Sequence, residues 1–253
     1  MSLSFVERDF TVDALVAAKG STSIAVCLPA RNEETTVRAI VRAIDRDLVH
    51  AGLVDDVLVV DDGSVDGTAA AASGSARVVP AAGGPGKGQA LRTALGATTT
   101  DLVVFCDADL YEFDSGFVVG LVGPLLTRPD VAFVKGFYRR PLGDRPDEGG
   151  RVTELVARPL LELLCPQLAH IVQPLGGEYA GRRATFDAID LVDGYGVDVG
   201  MLIDIARAFG VDHIAQVDLG IRLHRNRPLH QLVPQAKAVM ATVLDRAGVD
   251  VGP

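Results

Sequence analysis

Apolar and polar positions along the first half of the chain fall into short blocks that predict a repeated strand–helix order. Residues 23–29 (SIAVCLP) form an unbroken apolar run closed by proline, which reads as a buried strand. From residue 35 to 50 the period lengthens. Val37, Ile40, Val41, Ile44 and Leu48 share one helical face, with Asn32 as the candidate cap. Residues 56–60 are the next buried strand, stopping at Asp61-Asp62-Gly63-Ser64. An alanine-rich helix from about Thr68, a short strand at 77–79 and a helix at 88–97 follow. A strand at 102–106 ends in Asp107-Ala108-Asp109. This alternation predicts an α/β fold with a mainly parallel sheet and right-handed crossovers.

The alternation breaks at residues 141–150 (PLGDRPDEGG), a stretch rich in Pro, Gly and Asp. Beyond it the pattern predicts helices at 152–164, 197–209 and 229–246, and a strand at 214–219. The last helix places Leu229, Leu232, Val233, Ala236, Val239, Met240, Val243 and Leu244 on one stripe. A mobile loop near residue 145 is therefore expected to divide the chain into halves at 1–145 and 146–253.

Composition narrows the class. A chain of 253 residues with 48% hydrophobic and 23% charged residues suits one large α/β domain or two unequal halves. The formal net charge of -9 argues against a general nucleic-acid binder, which needs positive potential toward phosphate backbones. The cysteines, Cys27, Cys106 and Cys165, lack metal-ligand spacing and fit a reducing compartment. The first twenty residues carry acids and no long apolar run, so no signal peptide is expected. No stretch approaches the roughly 20 apolar residues of a membrane span, which makes a cytoplasmic protein the expectation.

Candidate chemistry sits at strand ends. Polar clusters at 29–34, 61–64 and 107–109 each follow an apolar strand, and open parallel sheets bind ligands outside the carboxyl ends of their strands. In Asp107-Ala108-Asp109 both carboxylates of an extended segment face one side, a pattern suited to Mg²⁺ or Mn²⁺. Its competing reading is an ordinary acidic turn. The loop at 83–88 (GGPGKG) lacks the spacing of a Walker loop and reads as backbone N–H groups plus Lys87 offered to an anion, or as a plain glycine turn. Arg222, His224, Arg225 and Arg227, with Asn226 between, form a basic run before the last helix. Arginines suit phosphate or carboxylate and an imidazole suits a metal, though a solvated basic loop is the commoner fate.

Taken in order, PARNEE (29–34), DDGSVDGT (61–68), GPGKG (84–88) and FCDADL (105–110) resemble the GT-A glycosyltransferases of the family-2-like superfamily. KGFYRRPL (135–142), GGRVTELVARPLL (149–161), QPLGGEYAGRR (173–183), GYGVDVG (194–200) and QVDLGIRLHRNRPL (216–229) narrow the likeness to the actinobacterial glucosyl-3-phosphoglycerate synthase family. The resemblance implies a GT-A, Rossmann-like sheet with helices on both faces. Residues 1–145 would bind the nucleotide-sugar and the smaller half, 146–253, the acceptor. It implies retaining transfer of glucose from UDP-glucose to the 2-hydroxyl of 3-phospho-D-glycerate, with Mg²⁺ or Mn²⁺ as cofactor and a homodimer as the assembly.

By the same resemblance Pro29, Ala30, Arg31, Asn32, Glu33 and Asp62 belong to the nucleotide site, with Lys87, Asp107, Ala108 and Asp109 beside the diphosphate. Leu175, Gly176, Tyr195 and Asp198 line the donor sugar. Gly150, Arg151, Thr153 and Asn226 bind the acceptor, Asp109 and His224 the metal. Asp107, Asp198 and Arg222 are the catalytic candidates. Two positions depart from the family pattern: Asp198 stands for a Glu, and Asp62 for a Ser. Alternatives left open are a GDP-mannose-type donor, a non-catalytic sugar-nucleotide binder, and front-face against double-displacement chemistry. A haloacid-dehalogenase-like phosphatase fits poorly, because Tyr111 stands where that pattern needs Thr or Val.

Overall fold

The computed structural model describes residues 3–139, 150–224 and 228–250, without the side chains of Leu223 and His224. Strands are β1 (Leu3–Val6), β2 (Ile24–Ala30), β3 (Asp56–Asp61), β4 (Arg77–Pro80) and β5 (Leu102–Phe105). They continue with β6 (Leu110–Tyr111), β7 (Phe133–Arg139), β8 (Tyr179–Arg182), β9 (Ile214–Ile221) and β10 (Leu223–His224). Helices are α1 (Val12–Lys19), α2 (Val37–Ile44), α3 (Thr68–Ala72), α4 (Lys87–Ala97) and α5 (Gly116–Thr127). After them come α6 (Arg158–Leu164), α7 (Arg183–Asp187), α8 (Val197–Phe209) and α9 (Leu229–Arg246). The loop expected near residue 145 lies outside the described residues.

Eight strands form one sheet in the order β1-β9-β7-β8-β5-β2-β3-β4. Every pairing is parallel except those of β8, which runs antiparallel to both β5 and β7. Stretches on either side of residue 145 therefore share one sheet. Alternate residues face opposite sides. Ile24, Val26, Leu28 and Val104 pack with α1, α2 and α5, while Ala25, Cys27, Val103 and Phe105 pack with α4, α8 and α9. Two apolar layers thus sandwich the sheet, and its continuous apolar strands are explained by burial on both faces.

Several expectations need correction. Asn32 caps no helix: α2 begins after Thr36, and Asn32 takes a left-handed conformation (φ 58) between β2 and the helix. The α9 stripe is narrower than its periodicity suggests. Val239 and Val243 are buried, whereas Leu229, Val233 and Met240 are exposed, because the helix lies on the outside and presents only one edge to the core. Strands β1, β7 and β8 and helices α1 and α5 carry no clear period. In α5 nine of its residues are buried, so it is apolar all round.

Candidate active site

Strands β5, β2 and β3 are neighbours, so their carboxyl ends emerge side by side. Hydrogen bonds then tie the three polar tips together. The Asn32 N–H donates to Ser64 Oγ (3.0 Å), the Val65 N–H to Asn32 Oδ1 (2.9 Å) and the Glu33 N–H to Thr68 Oγ1 (2.8 Å). The left-handed turn at Asn32, a conformation asparagine tolerates, aims its side chain at the neighbouring tip. The Thr36 hydroxyl donates to the Ala108 carbonyl (2.6 Å), joining the first tip to the third.

The glycine loop closes onto the same edge. The Gly86 N–H donates to both carboxylate oxygens of Asp62 (2.8 and 3.0 Å), and Arg31 lies 3.8 Å from Asp62. Gly86 adopts φ 141, which side chains rarely allow. The next residue, Lys87, opens α4 and carries its ammonium to Asp107 (3.2 Å) and Asp198 (2.9 Å). Lys87 therefore sits in the site, within a charged network.

Arg222 sits at the centre of this network. It is 2% exposed, and its Nη2 donates to both Asp107 (2.9 Å) and Asp109 (2.8 Å). Nη1 donates to Glu178 (3.0 Å) and to the Tyr138 hydroxyl. Both acids of the Asp107-Ala108-Asp109 motif thus turn toward one cation, as their spacing predicts, and here that cation is a guanidinium. Burial raises the Asp107 carboxyl, but Lys87 and Arg222 outweigh it and hold the group well below the ordinary range. Burial would lower Lys87 and Arg222. Asp107 and Asp198 hold the first well above its usual value, and Glu178, Tyr138 and Asp107 the second.

Asp198 pairs with Lys87 through Oδ2, while Oδ1 is buried and makes no hydrogen bond among the described residues. Such an acceptor suits a ligand hydroxyl. For a divalent cation, the fit rests on Asp109. Its carboxylate, 30% exposed, offers hard oxygen ligands at the cavity wall. The backbone of His224 pairs with Leu110, directly beside Asp109. The His224 side chain and Asn226 lie outside the described residues, and among the described residues no three His, Cys, Asp or Glu side chains cluster for a metal.

A cavity of about 800 Å³ collects these groups. Its lining includes Pro29, Ala30, Arg31, Asn32, Glu33 and Asp62, together with Lys87, Asp107, Ala108, Asp109, Asp198 and Arg222. Gly150, Arg151, Thr153, Leu175 and Tyr195 belong to the same lining. Gly176 stands behind it, its carbonyl accepting from Lys135 (2.6 Å). Sequence reasoning missed Gln231, Leu232 and Gln235, which α9 adds to the lining. Their spacing of three and four residues, just after the basic run, was the available signal. Lys135, Tyr138 and Glu178 were also missed. A lysine inside the apolar run AFVKGFY was the clue, since a charge in a buried strand needs a partner.

Charged strand tips around one crevice, with paired acids in its lining, are where an open α/β sheet binds its ligand. The pattern described as glycosyl transferase family 2 matches residues 25–175, and the chain belongs to that family. Within it, the similarity is narrower. The chain is 48% identical over 258 residues to the glucosyl-3-phosphoglycerate synthase of Mycolicibacterium smegmatis, covering 97% of this chain and 84% of that protein. It is also 48% identical to the synthase of Mycobacterium tuberculosis, covering 95% of this chain and 78% of that protein. A crystal structure of the Mycobacterium tuberculosis synthase with phosphoglyceric acid superposes with TM-score 0.92 at 45% identity, over 99% of this chain and 90% of that one. Another, with Mn²⁺, UDP-glucose and phosphoglyceric acid, gives TM-score 0.89 at 46% identity, over 96% and 86% of the two chains.

Proposed function

We propose that the protein transfers glucose from UDP-glucose to the 2-hydroxyl of 3-phospho-D-glycerate with retention, forming glucosyl-3-phosphoglycerate. The observation that carries this reading is one cavity lined by the charged Lys87, Asp107, Asp198 and Arg222 together with Arg151 and Thr153. The nucleotide belongs at the Pro29–Glu33 and Asp62 end, the acceptor at Gly150, Arg151, Thr153 and Asn226. The halves 1–145 and 146–253 divide this labour about one sheet. Asp62 carries a charge that a Ser would not, but that charge meets the Gly86 N–H and Arg31.

Arg222 and Lys87 place positive charge where a departing diphosphate gathers negative charge. A divalent cation held by Asp109 and His224 would add Lewis-acid stabilisation of that leaving group. Asp107, paired with Lys87 and Arg222, would orient both cations toward the leaving diphosphate. Asp198 Oδ1 would accept from a glucose hydroxyl. Free, buried Cys27, Cys106 and Cys165 agree with a cytoplasmic setting, and no described helix is long and apolar enough to cross a membrane. A homodimer is the proposed assembly, to be checked by light scattering.

The test is incubation of the protein with 3-phosphoglycerate, Mn²⁺ or Mg²⁺ and a panel of nucleotide-sugars, reading product mass and nucleotide release. Glucosyl-3-phosphoglycerate from UDP-glucose is expected. A GDP-sugar as the preferred donor, or binding without turnover, refutes the reading.

A further inference from the structure

Lys135 occupies the middle of β7 and is 0% exposed. Lysine is almost never buried so fully without a specific partner. Its ammonium donates to the Gly176 carbonyl (2.6 Å) and lies 4.6 Å from the centre of the Tyr179 ring. Burial pushes it down to about 8, against the attraction of Asp198, Glu178 and Asp107 and with the repulsion of Lys87. It lines no part of the cavity, so its reach is indirect.

The turn that Lys135 grips is the one carrying Leu175 into the cavity. Strand β7 holds that turn at both ends as well. Gln173 Nε2 donates to the Tyr138 carbonyl (2.6 Å), and the Gly136 N–H to the Glu178 carbonyl (2.9 Å). Gly177 abuts the motif acid, since a Cβ there would lie 2.1 Å from Asp107 Oδ1. Between these fixed ends the middle of the turn has Lys135 as its side-chain anchor. The same lysine backs Tyr179, whose phenol burial and the Asp198 charge hold well above its usual range.

We propose that Lys135 is a positioning residue for the donor hexose: by fixing the Leu175–Gly176 turn it shapes the wall that reads the sugar, without touching the nucleotide. The inference rests on the donor site assigned above. It predicts a split between sugar and nucleotide that a merely structural lysine would not produce.

The test is calorimetric titration, with Mn²⁺ present, of the full chain and its variants with UDP-glucose and with UDP alone. Lys135→Met, close in volume and apolar, is expected to weaken UDP-glucose binding roughly tenfold to hundredfold, the range of a lost charged hydrogen bond. UDP affinity should stay within about twofold. Lys135→Gln, which keeps a donor on a shorter stem, should fall between wild type and Lys135→Met, and decides alone if the methionine variant does not fold. Wild-type affinity for UDP-glucose in the folded variants overturns the proposal, as does an equal loss for UDP and UDP-glucose. A wild-type protein that binds no sugar nucleotide sinks the donor assignment itself, and the inference with it.

Discussion

Replacing Arg222 by methionine removes the central cation while keeping much of the side-chain volume. The wild-type guanidinium lies 2.8–3.0 Å from Asp107, Asp109 and Glu178, and Glu178 is 0% exposed. At about 3 Å and an effective dielectric near 20, each pair has a gross attraction of about 5–6 kcal/mol. Desolvation cancels much of it, so the sum of three pairs is not the answer. The cost that survives is that of leaving buried Glu178 without this cation, about 3–5 kcal/mol. For a chain of this size that is a melting temperature lower by roughly 6–20 °C.

The pH dependence gives the sign of the effect. In the wild type Asp107 is depressed, so its contribution is present above the unfolded carboxylate value of about 3.9 and is lost as pH falls below it. In Arg222→Met the buried Glu178 loses this cation, which favours its protonated form in the folded state. Its folded state then takes up a proton more readily, and the deficit shrinks as pH falls from 7 toward 5. Urea denaturation at pH 7 and pH 5, with turnover measured in parallel, reads both effects. Equal midpoints for variant and wild type at both pH values would refute the reasoning.

Asp109→Ala should abolish most turnover while the fold holds, because Asp107 and Glu178 still pair with Arg222, and excess EDTA should inhibit the wild type; full activity in EDTA sinks the metal assignment. Arg151→Ala should raise the KM for 3-phosphoglycerate about tenfold to hundredfold, from the loss of a charged hydrogen bond, while calorimetric affinity for UDP-glucose holds. If the wild type uses glycerate as well as 3-phosphoglycerate, phosphate recognition at Arg151 is wrong. Asp62→Ala should release the Gly86 N–H and lower kcat through a loosened Lys87, yet keep UDP-glucose preferred over GDP-glucose; a reversed preference would show that Asp62 reads the base.

Local periodicity determined a good part of this protein. The runs that became β2, β3, β5 and α8 are set by residues within a few positions of one another, so the strand–helix order and the polar tips at Pro29–Glu33, Asp61–Asp62 and Asp107–Asp109 were legible in one pass. Parallel neighbours then bring those tips together almost as a matter of connectivity. Other features depend on partners far away in the chain. The short β8 is placed antiparallel between β5 and β7 by the sheet, not by its own four residues. Local pattern alone left Arg222 as one member of a basic run, and only the family resemblance made it a catalytic candidate. Its burial comes from Asp107, 115 positions earlier, and Glu178, 44 positions earlier, which no local window contains. The same holds for Lys135 beneath the Gly176 carbonyl and for the α9 glutamines at the cavity. A sequence shows which side chains avoid water over a turn or a strand; which charge meets which is decided only when the sheet is assembled, because desolvation and Coulomb attraction act through space.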